Sequence, residues 1–221
     1  SGTAGKTNYY MGLSYMGQNG VVKVNPDSYN RFSVNYSTDT EIKPWLKVRS
    51  KALYTRTNLE TPFNFNTASY DALYYLYRWP TIMPYGTYEG EPFRNSVTET
   101  AAANMNSDVK DYMRFSVGAT FVLGIPDLTL DVDYTYNLDN QNITQRGGTV
   151  GGWDFWSGSM SLVDNWAATA RNKVDKYQYN RNYHAGNAVL RYKHTWNDAH
   201  SLNVFGGMNI EKDIAYIFGT N

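Results

Sequence analysis

Asp127-Leu128-Thr129-Leu130-Asp131-Val132-Asp133-Tyr134-Thr135-Tyr136-Asn137-Leu138-Asp139 alternates without a break between polar and apolar side chains. Successive residues of a strand point to opposite faces, so this period of two predicts a β-strand with two unlike surfaces. Leu128, Leu130, Val132, Tyr134, Tyr136 and Leu138 share one face. Thr129, Asp131, Asp133, Thr135, Asn137 and Asp139 share the other. Just upstream, Tyr112 to Leu123 repeats the pattern, with Met113, Phe115, Val117, Ala119 and Phe121 set against Arg114, Ser116, Gly118 and Thr120. Gly124-Ile125-Pro126-Asp127 between the two runs has the composition of a tight turn. The two runs are expected to form a long antiparallel hairpin.

The same grammar extends outward. Tyr29–Asp39 and Trp45–Thr57 form a second expected hairpin, turning near 38–44, with Phe32, Val34 and Tyr36 opposite Arg31, Ser33 and Asn35. Leu46, Val48, Ala52 and Tyr54 oppose Lys47, Arg49 and Lys51; by the same parity Trp45 falls on the Lys47 face. Asn182–Thr195 and Ser201–Glu211 form a third hairpin around 196–200, and Lys6–Met16 a first strand. The pattern predicts about seven strands. Connections near 38–44, 124–127 and 196–200 are short, the one near 17–28 is medium, and those near 58–110 and 140–180 are very long. With every strand antiparallel to its neighbour, the short turns fall at one end and the long loops at the other. Within the long loops, Ser69–Trp79 and Met160–Arg171 show helical spacing and are expected to be short helices.

Composition narrows the setting. The chain has 221 residues, 42% of them hydrophobic, with no run near the roughly 20 apolar residues of a membrane helix. Mean hydropathy is −0.56. Neither fact excludes a membrane barrel, whose strands need only about 9–11 residues with every second one apolar. Lys plus Arg and Asp plus Glu are both 20, a balance that argues against nucleic-acid steering. The absence of cysteine removes disulfides, thiolate metal sites and Cys nucleophiles. The opening Ser1-Gly2-Thr3 and the closing Gly219-Thr220-Asn221, the latter without an obvious closing strand, are expected to be cut edges of a longer chain.

In a soluble sandwich the apolar face would pack on a second sheet. In a barrel it meets lipid, and the polar face lines the lumen. Charge placement favours the barrel, because turning Lys47, Arg49 or Lys51 to lipid would cost roughly 2–4 kcal/mol each at the midplane. Arg31, Lys47, Arg49, Lys51, Arg114, Asp131 and Asp133 are therefore expected to face the lumen. Tyr36, Tyr54, Tyr136 and Trp196 lie toward strand ends, as in the aromatic girdles of outer-membrane barrels.

The stretch Tyr9-Tyr10-Met11-Gly12-Leu13-Ser14-Tyr15-Met16-Gly17-Gln18-Asn19-Gly20 resembles a strand of the SusC/RagA class of TonB-dependent transporters. Tyr10, Ser14, Gln18 and Gly20 stand at or near its Tyr, Ser and Gln-x-Gly positions, with Met16 where the class often has Leu. Tyr29–Tyr36 is similar to its Arg-x-x-x-Asn strand, Ile42–Lys47 to the turn that follows, and Leu190–Tyr192, His200–Asn203 and Gly206-Gly207 to a later hairpin. The resemblance implies an all-β chain, an antiparallel segment of a transmembrane β-barrel of roughly 22 strands filled by an N-terminal plug. Residues 1–221 would be wall and long extracellular loops, the plug and remaining strands lying outside them. It further implies the bacterial outer membrane, a SusD-type surface lipoprotein as partner, energy from the TonB complex acting through the plug, and an oligosaccharide or peptide as cargo. Surrounding lipid is implied; a cofactor is not.

Candidate sites are loop aromatics. Trp79, Tyr85 and Tyr88 lie in one long loop, and Trp153, Phe155 and Trp156 in the other. Flat rings stack on sugars or peptide side chains, but such rings equally pack loops together or against a partner. No enzymatic constellation emerges. Asp131 and Asp133 read as solvated wall residues, and Gly147–Gly152 as a flexible loop lacking the Lys-Ser/Thr of a phosphate loop. His194 and His200 flank a turn, and Asp139, Asn140 and Asn142 offer oxygens without EF-hand spacing, so no metal site is assigned. A soluble or surface glycan-binding β domain remains the alternative; it requires the apolar faces to be covered.

Overall fold

A computed structural model describes residues 1–63, 84–155, 158–165, 172–197 and 199–220. The strands are β1 (Gly2–Ala4), β2 (Thr7–Asn19), β3 (Ser28–Lys43), β4 (Leu46–Pro62), β5 (Thr87–Tyr88), β6 (Glu91–Pro92), β7 (Met105–Val122), β8 (Leu128–Arg146), β9 (Gly152–Asp154), β10 (Ser161–Val163), β11 (Val174–Trp196) and β12 (His200–Thr220). A helix, α1 (Ser96–Ala102), precedes β7. One antiparallel sheet of eight strands, in the order β1-β2-β3-β4-β7-β8-β11-β12, forms the body of the chain. It is open, with β1 and β12 as its edges. The chain is thus all-β, as the alternation predicts.

Register decides what each face presents. Directly opposed residues of an antiparallel pair share a face. One row across the sheet reads Thr7, Thr40, Val48, Ala119, Val132, Ala188 and Met208. The next row, on the other face, reads Asn8, Asp39, Arg49, Gly118, Asp133, Asn187 and Asn209. The alternation of separate segments therefore becomes one apolar surface and one polar surface. The apolar band also drifts. On β3 it runs from Phe32 to Tyr36, whereas on β11 the residues level with those two are Asn180 and His184, and Ala188, Leu190 and Tyr192 lie farther toward the short turns; on β12 the apolar face extends further, through Ile214, Tyr216 and Phe218. A level band on tilted strands must cross the sheet obliquely in this way.

Nothing covers the band among the described residues. Met11, Leu13, Phe115, Tyr134, Leu190, Met208 and Ile210 are all exposed, and none of the described large side chains is fully buried. The chain exposes 14481 Å². A compact soluble monomer of this mass exposes about 10,000 Å². The small apolar core that does exist, Ala103 and Val150 with Phe63, sits at the long-loop end and not under the sheet.

Both ends of the band carry rings. At the long-loop end, tyrosine hydroxyls donate to polar neighbours on the same face: Tyr15 to Asn30 (2.8 Å), Tyr54 to Asp111 (2.6 Å) and Tyr136 to Asn182 (2.7 Å). Their rings stay with the apolar band while their hydroxyls reach polar ground, the amphipathic role of an interfacial ring. At the short-turn end, Trp45 does not follow strand parity. The register shifts between Glu41 and Lys43, Trp45 lies in the turn before β4, and its ring stacks on Phe121 of the apolar face at 6.5 Å. The sequence expectation for Trp45 is corrected accordingly.

Other expectations also need correction. The sheet has eight strands where about seven were expected, because β1 is too short to show a period. The strands run farther toward the long loops than the alternation indicated: β8 continues through Asn140, Gln141, Asn142 and Thr144. There, Ile143 apart, both faces are polar, so the period vanishes although the backbone still pairs. The end of the chain is a strand, since β12 stays paired to Thr220. Ser161–Val163, inside the expected helix at 160–171, is a strand paired with β9. The other expected helix, 69–79, lies outside the described residues.

Candidate functional site

The polar face of the sheet gathers the charged residues singled out above. Register puts Arg31, Lys47, Arg49, Lys51, Arg114, Asp131 and Asp133 on that one face. Their arrangement is not uniform. Arg49 on β4 reaches across β7 to β8, with Nη2 3.1 Å from Asp133 and Nη1 3.9 Å from Asp131. Thr120 on β7 accepts from Arg49 at 3.1 Å and donates to Asp131 at 2.5 Å. The reach is possible because the intervening residue is Gly118. A Cβ there would lie 2.1 Å from Asp133 Oδ1 and 3.1 Å from Arg49 Nη2. Lys6 pairs with Glu41 at 2.7 Å, Lys110 with Asp139 at 3.4 Å, and Arg181 with Asp213 at 2.6 Å.

Gly118→Ala is expected to open the Arg49–Asp133 contact while leaving the sheet intact, since the obstructed atoms are ends of flexible side chains. The pair is well exposed and screened, so the loss of stability should be about 0–1 kcal/mol, read by denaturant unfolding. A larger loss would mean that Gly118 is required by the backbone rather than by the pair.

At the long-loop end, the loops are tied into a folded unit. Asn95 caps α1, accepting from the Thr98 amide at 2.9 Å. Asn25, in the β2–β3 connection, donates to the carbonyls of Thr100 (3.0 Å) and Ala103 (2.8 Å) at the helix's other end. Asn25 has φ of 49°, a left-handed conformation that asparagine tolerates better than most residues. Arg94 holds Asp154 at 2.9 Å, joining the β4–β7 loop to the β8–β11 loop. Between them Tyr88 lies edge-on to Trp153 at 5.6 Å, Phe93 packs on Phe155 at 5.6 Å, and Trp153 Nε1 donates to the Tyr88 carbonyl at 2.8 Å.

The structure thus brings together three of the predicted ring residues, Tyr88, Trp153 and Phe155, and adds Phe93, which the sequence reading missed. Tyr85 stands nearby in the same loop and is 71% exposed. Trp79 and Trp156 lie outside the described residues. Phe93 carried no alternation or spacing signal; only the long-range pairing of two loops reveals it. Elsewhere, His194 Nδ1 and Asp127 Oδ2 are 2.5 Å apart at the short-turn end, and His200 is opposite Trp196.

No family model matches the chain, and comparison with curated proteins finds no similar one. Among solved structures, the chain is similar to one described as the RagAB peptide transporter, with a TM-score of 0.68 and 17% sequence identity. The likeness covers 99% of this chain and 24% of that one. At this identity it establishes a shared fold. This chain spans about a quarter of the length of the protein it matches.

Proposed function

We propose that the chain forms wall and extracellular loops of an outer-membrane importer of the SusC/RagA class, which takes up an oligosaccharide or peptide with energy from TonB. The observation that carries this reading is the apolar band: exposed, continuous in register and drifting obliquely across the sheet, with a charged face behind it. Lipid is the solvent that such a surface fits. The shared fold with a peptide transporter structure adds support. A soluble glycan-binding domain would need that band covered.

In this reading the paired sheet is a nearly rigid wall. The loop unit around Tyr88, Trp153 and Phe155 gathers cargo together with a capping lipoprotein of the SusD type. A plug, carried elsewhere in the full-length protein, shifts when TonB pulls. Cargo then descends past Arg31, Lys47, Arg49, Arg114, Asp131 and Asp133. Opposite charges lie side by side along much of this path, which lets neutral and zwitterionic solutes pass without a large field to cross.

The chain contains no cysteine, which makes its faces easy to read. In the full-length protein in native outer membranes, thiols from Phe115→Cys and Val132→Cys should react only with a lipid-phase maleimide. Thiols from Ser116→Cys and Thr135→Cys should react with a water-soluble one. Aqueous labelling of all four would dismiss the barrel. Uptake that persists after the proton-motive force is collapsed would dismiss TonB coupling.

A further inference from the structure

On the polar face Arg49, Lys110 and Arg181 pair with carboxylates, whereas Arg31, Lys47, Lys51 and Arg114 form no ion pair among the described residues, and of these four Lys51 and Arg114 share a hollow. Arg114 Nε donates to Asn137 at 3.0 Å, and its carbon Cζ lies 5.9 Å from the Tyr112 ring centre. Both cations line one hollow of about 320 Å³ on the lumenal side of the sheet, which Tyr10, Asn35 and Ser37 also line. Gly12 shapes it. A Cβ at Gly12 would lie 2.6 Å from the Tyr10 hydroxyl, so the ring folds over the glycine only because no side chain stands there. Gly12 is in register with Asn35, and through Leu53 with Arg114, so the hydroxyl is held on the row of the hollow.

The geometry points to an anion site on the inner wall, in which Lys51 and Arg114 take a carboxylate. The inference rests on the lumenal assignment above and deepens it. An ammonium and a guanidinium side by side repel each other, and a carboxylate between them relieves the repulsion while accepting charge-assisted hydrogen bonds. A guanidinium engaged through Nε still presents its Nη donors in a fixed fork that suits a carboxylate. The hydroxyl of Tyr10 and the amide of Asn35 supply neutral donors beside the cations. The neighbouring hollow, lined by Lys6, Asp39, Glu41, Lys47 and Arg49, mixes both signs and so offers no comparable excess. The carboxylate belongs either to cargo or to a segment of the longer protein lying in the lumen.

The test uses the full-length protein in outer-membrane vesicles, with Ser37→Cys in the hollow and Asn209→Cys as a distant reference on the same face. Each thiol is reacted with a negatively charged sulfonatoethyl and a positively charged trimethylammonium methanethiosulfonate. An open anion site should raise the ratio of anionic to cationic rate at Ser37→Cys by about tenfold over the reference, the scale of local field focusing. K51Q/R114Q should return it to the reference value. Slow reaction with both reagents, relieved by K51Q/R114Q, would support the site and place the carboxylate on the protein's own segment. Equal ratios at the two positions, or protection that K51Q/R114Q does not relieve, would overturn it. Should the double variant fail to assemble, as judged by heat-modifiable migration, Lys51→Gln and Arg114→Gln are each expected to remove part of the bias. Labelling of Ser37→Cys by lipid-phase reagent alone would instead show that the lumenal assignment itself is at fault.

Discussion

Val132→Arg should lower the stability of the full-length barrel in a bilayer by about 2–4 kcal/mol, the cost of an arginine near the midplane of a lipid face. Val132 sits between Ala119 and Ala188 in register, in the middle of the apolar run that extends from Leu128 to Leu138 on β8. It is 39% exposed in this chain, so the substitution meets no steric obstacle and reports the solvent directly. Thr135→Arg, on the opposite charged face, should cost only about 1 kcal/mol, the worth of the 3.0 Å hydrogen bond that Thr135 makes with Ser116. Urea unfolding of the barrel refolded into lipid bilayers would measure both. Equal tolerance at the two positions would mean that the band does not face lipid.

The contrast between these two positions is legible in the sequence, because period two is a local property of the chain. Leu128 and Asp131 declare their faces by parity alone. What parity cannot supply is register, which is set by turns. Arg49, Asp131 and Asp133 were legible as residues of one face, but their meeting across β7 depends on Gly118 and on the pairing of Arg49 with Gly118 and Gly118 with Asp133. Trp45 escapes parity for a related reason: it lies in the turn, one residue before β4 begins at Leu46, where alternation does not apply. Spacing also fails where a segment is short. Leu162 fits a helical repeat and a strand equally well, and only pairing of Ser161–Val163 with Gly152–Asp154 decides for the strand. The ring cluster of Tyr88, Phe93, Trp153 and Phe155 is assembled from two loops far apart in the chain, so composition could nominate its aromatic members but not their contact.

That contact sets the second large effect. Gly151→Ala should loosen the loop unit by about 1–3 kcal/mol, the usual cost of forcing atoms into a closely packed place. A Cβ on Gly151 would lie 2.4 Å from the carbonyl oxygen of Asp164 and 2.7 Å from that of Val163. Both obstructing atoms are backbone, so no side chain can swing aside, and the two strands of the β9–β10 ribbon must part. Val150, 5% exposed beside Gly151, would lose its packing against Ala103. Trp153 and Asp154 follow directly on the same segment, and through Tyr88 and Arg94 they hold the β4–β7 loop. One methyl group should therefore release both long loops together. Protease added to intact cells is expected to cut within 84–104 and 147–165 faster in the variant than in the parent. Gly124→Ala, at the short-turn end with open space around its Cβ, should leave those sites as resistant as before. Cargo affinity separates the two roles open to the rings. If Tyr88, Trp153 and Phe155 touch cargo, affinity falls along with protease resistance, because a loosened cluster must be reordered on binding. Should resistance fall while affinity holds, the rings act as packing for the loops, and the contact with cargo lies elsewhere on the wall.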